Sequence, residues 1–186
     1  RNVSVVDTTK PVITLLGNEK KVIENKTIEY ILDNYDYYKQ DLLNYLNSNN
    51  INIIRNILRI IGKVDESLAE IKIVEYLKDK RWKIKQTCIR SLGNIASKWA
   101  NTVLRTLLKD PDWKTREAAV IAIGKQEEEK FEPVLLELLC DENKLVRGKT
   151  VHYLGFIGSI NTINQIRPLL KDKEKNVRSI TKSAIN

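Results

Sequence analysis

The chain of 186 residues has no methionine, one histidine, two cysteines, four prolines and seven glycines. Each scarcity removes a class of reading. So little glycine and proline leaves too few turn signals for a fold of many short strands and favours long helices. Cys88 and Cys140 are too few for a disulfide framework and lack metal-ligand spacing. Both lie in apolar helical patterns and read as core residues. His152 has no serine, cysteine or carboxylate adjacent to it on its own helix face to form a nucleophile–base pair. There is no phosphate-binding glycine loop and no paired-carboxylate motif, so no catalytic residue, metal or cofactor is assigned. No apolar run approaches the roughly 18 residues that span a bilayer, and there is no signal-peptide pattern. The start at Arg1 without methionine reads as a fragment or processed product, whose targeting signals would have been lost with the missing part.

What is present is charge and periodicity. Charged residues make up 30% of the chain and hydrophobic ones 42%, the balance of a soluble, foldable chain. The net charge of +8 favours an anionic partner if it is concentrated on one surface. Gly62, Gly93, Gly124 and Gly155 recur at intervals of 31 residues. Sixteen residues before each stands Leu46, Leu77, Leu108 or Leu139, and the phase continues to Leu170. Twenty before stands Leu42, Ile73, Leu104, Leu135 or, one period on, Ile166. Immediately before the glycines come Ile61, Leu92, Ile123 and Leu154, followed in phase by Ile185. Columns in one register identify a tandem array.

Each unit reads as two helices. In the third, Val103, Leu104, Leu107 and Leu108 form one apolar stripe on a helix from about Trp99 to Lys109. Pro111 stops it and Asp112 is suited to cap the next helix. That helix carries Ala119, Val120 and Ile123 inward and is expected to end near Gly124 in a left-handed cap. Cys88, Ala119, Thr150 and Thr181, small and in one column, allow neighbouring helices to approach closely. A single pair cannot bury its faces, so the units must stack.

The segments "LLKDPDWKTREAAVIAIGKQ", "LLCDENKLVRGKTVHYLGFIG" and "LLKDKEKNVRSITKSAI" resemble the short HEAT repeats also called HEAT-like or phycobilin-lyase-type repeats. "YLKDKRWKIKQTCIRSLGNIA" and "YLNSNNINIIRNILRIIGKV" are weaker copies. The resemblance covers about Tyr37 to Asn186. It implies an all-α fold, a right-handed α-solenoid of about five HEAT-like helix pairs, whose second helices line the concave face. Repeats are placed at about 37–65, 66–97, 98–128, 129–159 and 160–186, behind a capping helix at 26–36. In that family an aspartate ending the first helix and a basic residue in the second form a structural ladder. The matching columns here are Asp79, Asp110, Asp141 and Asp172 with Lys85, Arg116, Arg147 and Arg178; the first repeat departs, with Ser48 and Ile54.

Residues 1–25 do not fit the array and read as an N-terminal extension or linker remnant. "VSVV" and "VITLL" are β-like runs, predicting a short non-helical or β-like segment. "VVDTTKPVITLLGN" is similar to the junction between tandem Ig-like domains of bacterial surface proteins. That likeness implies a cell-surface or membrane-anchored protein, whereas HEAT-like repeats are mostly intracellular and imply a cytoplasmic one.

The helical period sorts the second-helix residues by face. Facing the groove are Ile51, Asn52, Arg55, Asn56, Arg59 and Lys63, then Trp82, Lys83, Gln86, Thr87, Arg90 and Asn94. Next come Trp113, Lys114, Glu117, Ala118, Ile121 and Lys125, then Lys144, Leu145, Gly148, Lys149, His152 and Phe156, and last Lys175, Asn176, Ser179, Ile180 and Ser183. Ten of these are lysine or arginine and one, Glu117, is acidic. Trp82 and Trp113 share a column, either as a ligand surface with the neighbouring lysines or as a pair packed over the turn. The expected function is a non-enzymatic scaffold binding an acidic peptide or protein. The alternative is nucleic-acid binding through the same groove, where aromatic side chains stack bases and cations meet phosphates. A glycosylase-like or lyase-like enzyme is the third reading. The metal-dependent hydroxylases of the repeat family use several His–Glu pairs, which one histidine does not supply.

Overall fold

A computed structural model describes residues 9–157 and 159–185. Among these residues there are twelve α-helices, short 3-10 turns and no β-strand. The chain divides into two compact units, Arg1–Ser91 and Leu92–Asn186.

The first unit contains α1 (Thr9–Thr14), a 3-10 turn at Leu15–Gly17, α2 (Lys21–Asp33), α3 (Tyr35–Tyr45), α4 (Ile51–Val64) and α5 (Glu66–Leu77). The boundary between units falls inside α6 (Trp82–Ile95). Polar caps start the helices: the Asn50 side chain accepts from the Asn52 and Ile53 amides, and Asp65 accepts from Leu68. The core is aliphatic, with Leu42, Ile54, Ile57, Leu58, Ile61 and Ile73 fully or almost fully buried.

The β-like reading of "VITLL" is corrected here, while "VSVV" lies outside the described residues. The run from Thr9 to Gly17 is helical and 3-10 in character. Ile13 and Leu16, three residues apart, are both fully buried, so a helical spacing is what satisfies the packing. Tertiary burial overrides the β preference of Val12 and Ile13. The turn and α2 pack on α4, and α1 packs on α3. The amino-terminal segment is thus a further helix pair beside the first repeat.

The second unit contains α7 (Lys98–Leu107), α8 (Trp113–Gly124), α9 (Glu132–Leu136), α10 (Lys144–Ile157), α11 (Ile160–Ile166) and α12 (Lys175–Ile185), with 3-10 turns extending α9 over Glu137–Cys140 and α11 over Arg167–Lys171. Asp112 caps α8 by accepting from the Lys114 amide. Helix α10 packs against both α8 and α12. Ala119, Thr150 and Thr181 are fully buried there, and the two threonine hydroxyls donate to carbonyls one turn back.

Two expectations change. Cys88 is buried, and desolvation pushes its thiol up to about 12, but Cys140 is exposed. It ends a 3-10 turn, whose tighter winding places Leu139 inward and the cysteine outward. The glycine column does not supply left-handed caps, since none of the described glycines has positive φ. The left-handed residues are Ala96 and Glu127, each three positions after a repeating glycine. The glycines serve close approach instead. A Cβ on Gly124 would lie 2.1 Å from Tyr153 Cγ, and one on Gly93 would lie 2.9 Å from both the Cβ and the carbonyl oxygen of Ala122.

Candidate binding face

The turn between the helices of each pair is built the same way throughout. Asp79, Asp110, Asp141 and Asp172 each accept the backbone N–H two residues on, at 2.7–2.8 Å. Ser48 does this with its hydroxyl, at 3.1 Å. Only the aspartates can also take an arginine. Arg116 donates through Nε and Nη2 to the two Asp141 carboxylate oxygens, at 2.7 and 2.9 Å, and through Nη1 to the Asp110 and Pro111 carbonyls. Arg147 repeats this with Asp172 and the Asp141 and Glu142 carbonyls. Each arginine therefore ties its own turn to the aspartate of the next repeat, 25 residues ahead. Arg178 holds its own turn through the Asp172 and Lys173 carbonyls.

These pairs are buried: side-chain exposure is 9% and 5% for Arg116 and Asp141, and 7% and 9% for Arg147 and Asp172. The hydrogen bond from Arg147 holds the Asp172 carboxyl below its ordinary range, and Asp141 raises Arg116. In the first unit Ile54 occupies the arginine column and is fully buried. Asp79 is instead gripped by Arg81 within its own turn, through Nε at 3.0 Å and Nη2 at 2.7 Å, which lowers its pKa.

On the second-helix face of the second unit, Trp113, Glu117, Ala118 and Ile121 of α8 are half-buried, with Lys114 and Lys125 exposed. Lys114 Nζ lies over the Trp113 ring, 5.8 Å from its centroid. On α10, Lys144, Leu145, Lys149, His152 and Phe156 are exposed. His152 meets Tyr153 and Phe156 edge-on, at centroid distances of 4.9 and 5.0 Å. Across from them α12 presents Asn176, Ser179, Ile180 and Ser183. Between these helices lies a depression of ≈ 530 Å³ lined by His152, Phe156, Ile180 and Ala184 among others. A second, of ≈ 230 Å³, adjoins it at Lys144, Leu145, Lys149 and Ile180. Phe156 is 69% exposed at its rim. Lys144, exposed, is paired with the half-buried Glu174 at 3.3 Å.

The same face of the first unit carries Arg55, Arg59 and Lys63 on α4 and Trp82, Lys83, Gln86 and Arg90 on α6. Trp82 is half-buried, and Lys63, Lys83, Gln86 and Arg90 are exposed. Asn56, Thr87 and Gly148, placed on the groove face by the period, are buried instead. Asn56 donates to the Leu16 carbonyl at 2.8 Å, and Thr87 accepts from Arg55 at 3.0 Å. These positions lie at the seam between successive second helices, where a short side chain is covered by the neighbour. Lys149, at the same position of its repeat as Asn56, reaches solvent because its stem is long. Glu24 had no signal as a site residue. It is a buried carboxylate on α2, bonded by Lys21 at 2.8 and 2.9 Å and 3.9 Å from Arg59.

No helix of the described residues is long and apolar enough to cross a membrane, and no group of three or more His, Cys, Asp or Glu side chains among them is placed to hold a metal.

Residues 101–186 match the family model described as HEAT repeats. None of the curated proteins matches the chain. Among solved structures, the complex of CpcE and CpcF of phycocyanin lyase from Nostoc sp. aligns with a TM-score of 0.58 at 22% identity, over 77% of this chain and 62% of that one. The chain therefore spans less than two thirds of that lyase chain. Human deoxyhypusine hydroxylase aligns with a TM-score of 0.54 at 16% identity, over 95% and 72% of the two chains. A designed armadillo repeat protein in complex with a (KR)4 peptide aligns with a TM-score of 0.58 at 14% identity, over 96% and 100%. The fold is an all-α solenoid of HEAT-like helix pairs. Its relatives in structure include enzymes as well as a designed binder.

Proposed function

We propose that this protein is a non-enzymatic HEAT-like scaffold that binds an acidic peptide or protein segment on the second-helix face of its carboxy-terminal unit. The observation that carries this reading is the α10–α12 depression with Phe156 standing at its rim, 69% exposed. An exposed aromatic beside an apolar hollow suits an anchor side chain from a partner. Lys149 and Lys175, on the same two helices, are both exposed and give acidic flanks of that anchor favourable contacts and a faster encounter. The non-enzymatic reading rests on His152, whose ring meets Tyr153 and Phe156 edge-on, and on Ser183, which lines the same depression but donates its hydroxyl to the Ser179 carbonyl. A designed armadillo protein of similar fold holds a (KR)4 peptide, which supports peptide capture as a use of such a surface. The cytoplasm is the proposed compartment.

Fluorescence anisotropy with an Asp/Glu-rich peptide carrying one phenylalanine tests the reading. Phe156→Ala and Lys149→Glu are expected to weaken binding about tenfold or more while leaving the circular dichroism unchanged. Equal affinity for wild type and both variants would overturn it. Tighter binding of a single-stranded oligonucleotide, falling by orders of magnitude between about 50 and 200 mM salt, would move the assignment to nucleic acid.

A further inference from the structure

Two sets of arginines in this chain have opposite surroundings. Arg116 and Arg147 each grip a carboxylate in a two-pronged pair. Arg55, Arg59 and Arg90 do not. Arg55 and Arg59 lie one turn apart on α4, and Arg90 occupies on α6 the place that Arg59 has on α4, 31 residues on. Among the described residues, no carboxylate bonds Arg55 or Arg90. Neutral groups hold the α4 pair in place: Arg55 donates to Thr87 at 3.0 Å and to Asn52 at 3.4 Å, and Arg59 donates to Asn56 at 2.9 Å. Glu24 is 3.9 Å from Arg59 and already bonded by Lys21 through both carboxylate oxygens. Desolvation and the charges of Arg59 and Arg55 lower the pKa of Arg90. A guanidinium nevertheless stays protonated in a protein, so the repulsion is carried rather than relieved.

We propose that Arg55, Arg59 and Arg90 form a binding site for a phosphate monoester in the first unit, separate from the carboxy-terminal face. Three positive charges, with Glu24 already bonded by Lys21, match a dianion better than a single carboxylate. Planar guanidinium forks match the paired oxygens of a phosphate group. The positioning by Asn52, Asn56 and Thr87 keeps the arginine stems ordered while leaving other N–H groups of each fork for a ligand. The dianion of a terminal phosphate answers these charges better than the monoanionic diester of a polynucleotide backbone.

Isothermal titration of the full chain with inorganic phosphate, a phosphoserine peptide, its unphosphorylated twin and dimethyl phosphate tests this. The phosphoserine peptide or inorganic phosphate is expected to bind, and dimethyl phosphate, a diester monoanion, to bind at least about tenfold more weakly. Arg59→Gln and Arg90→Gln are each expected to weaken binding about tenfold, on the basis of lost charge-assisted hydrogen bonds. Arg90→Lys, which keeps the charge but loses the fork, is expected to fall between, and it stands in if the glutamine variant unfolds. Lys98→Gln, at an exposed position of α7 outside both candidate sites, is expected to change nothing, which separates this site from an effect of net charge. A peptide that binds more tightly than inorganic phosphate identifies a phosphorylated partner as the source. Equal binding of the two identifies a free or small-molecule phosphate. Equal affinity for diester and monoester, binding indifferent to the arginine substitutions, or capture only of single-stranded DNA would overturn the proposal.

Discussion

Removing the Asp172 carboxylate leaves the Arg147 guanidinium buried without its counter-charge, and the cost follows from the geometry. The pair is two-pronged at 2.8 and 2.9 Å, with both side chains under 10% exposed. Breaking a buried pair by deleting one partner costs about 3–5 kcal/mol, because the other charge stays desolvated. Asp172→Ala also strips the Glu174 amide of its acceptor. For a chain of this size each kcal/mol lowers Tm by about 2–4 °C, so the variant should melt roughly 6–20 °C below wild type. Arg147→Met should cost a similar amount. It leaves the carboxylate uncompensated and removes the donor that serves the Asp141 and Glu142 carbonyls. The double variant leaves neither charge stranded and should be destabilised by clearly less than the two single losses added together. Lys144→Ala, which breaks a more exposed pair at 3.3 Å, is the control and should cost at most about 1 kcal/mol. Urea titrations followed by circular dichroism read all four. If Asp172→Ala stays within about 1 kcal/mol of wild type, or the double variant is simply additive, the ladder does not hold the repeats together.

Two further outcomes follow from the packing and the titrating groups. Gly124→Ala places a Cβ 2.1 Å from the Tyr153 ring and should cost about 1–3 kcal/mol. Adding Tyr153→Ala should return part of that loss in a denaturation assay, while no recovery would place the strain elsewhere. Lysine and arginine partners lower the pKa values of Asp65, Asp79 and Asp172 in the folded state. Their contribution is therefore present above the ordinary aspartate pKa of about 3.9 and is lost as pH falls through the folded values. The urea midpoint should decline below about pH 4, and less steeply in Asp172→Asn.

The repeat was legible because a 31-residue period must place like residues in like surroundings. The resemblance to the HEAT-like repeats, carried onto the matching columns, assigned Asp141 and Arg147 to a ladder. That the arginine reaches forward to the next aspartate, and back to its own turn carbonyls, required the three-dimensional stacking. The first helix of the amino-terminal pair was not legible, because Val12 and Ile13 carry β preference and only burial of Ile13 and Leu16 selects the helix. Arg81 capturing Asp79 was likewise hidden, since Arg81 belongs to the turn itself and to none of the columns.

Sequence alone determined that the chain is built of helix pairs in tandem, because hydrophobic period and capping chemistry are local. Tertiary structure alone decided which basic groups are neutralised. Arg147 and Arg59 are both one arginine on a second helix, yet one is buried against a carboxylate and the other is held by an amide beside like charges. Charge pairing depends on distances between helices, and a repeat period does not specify those.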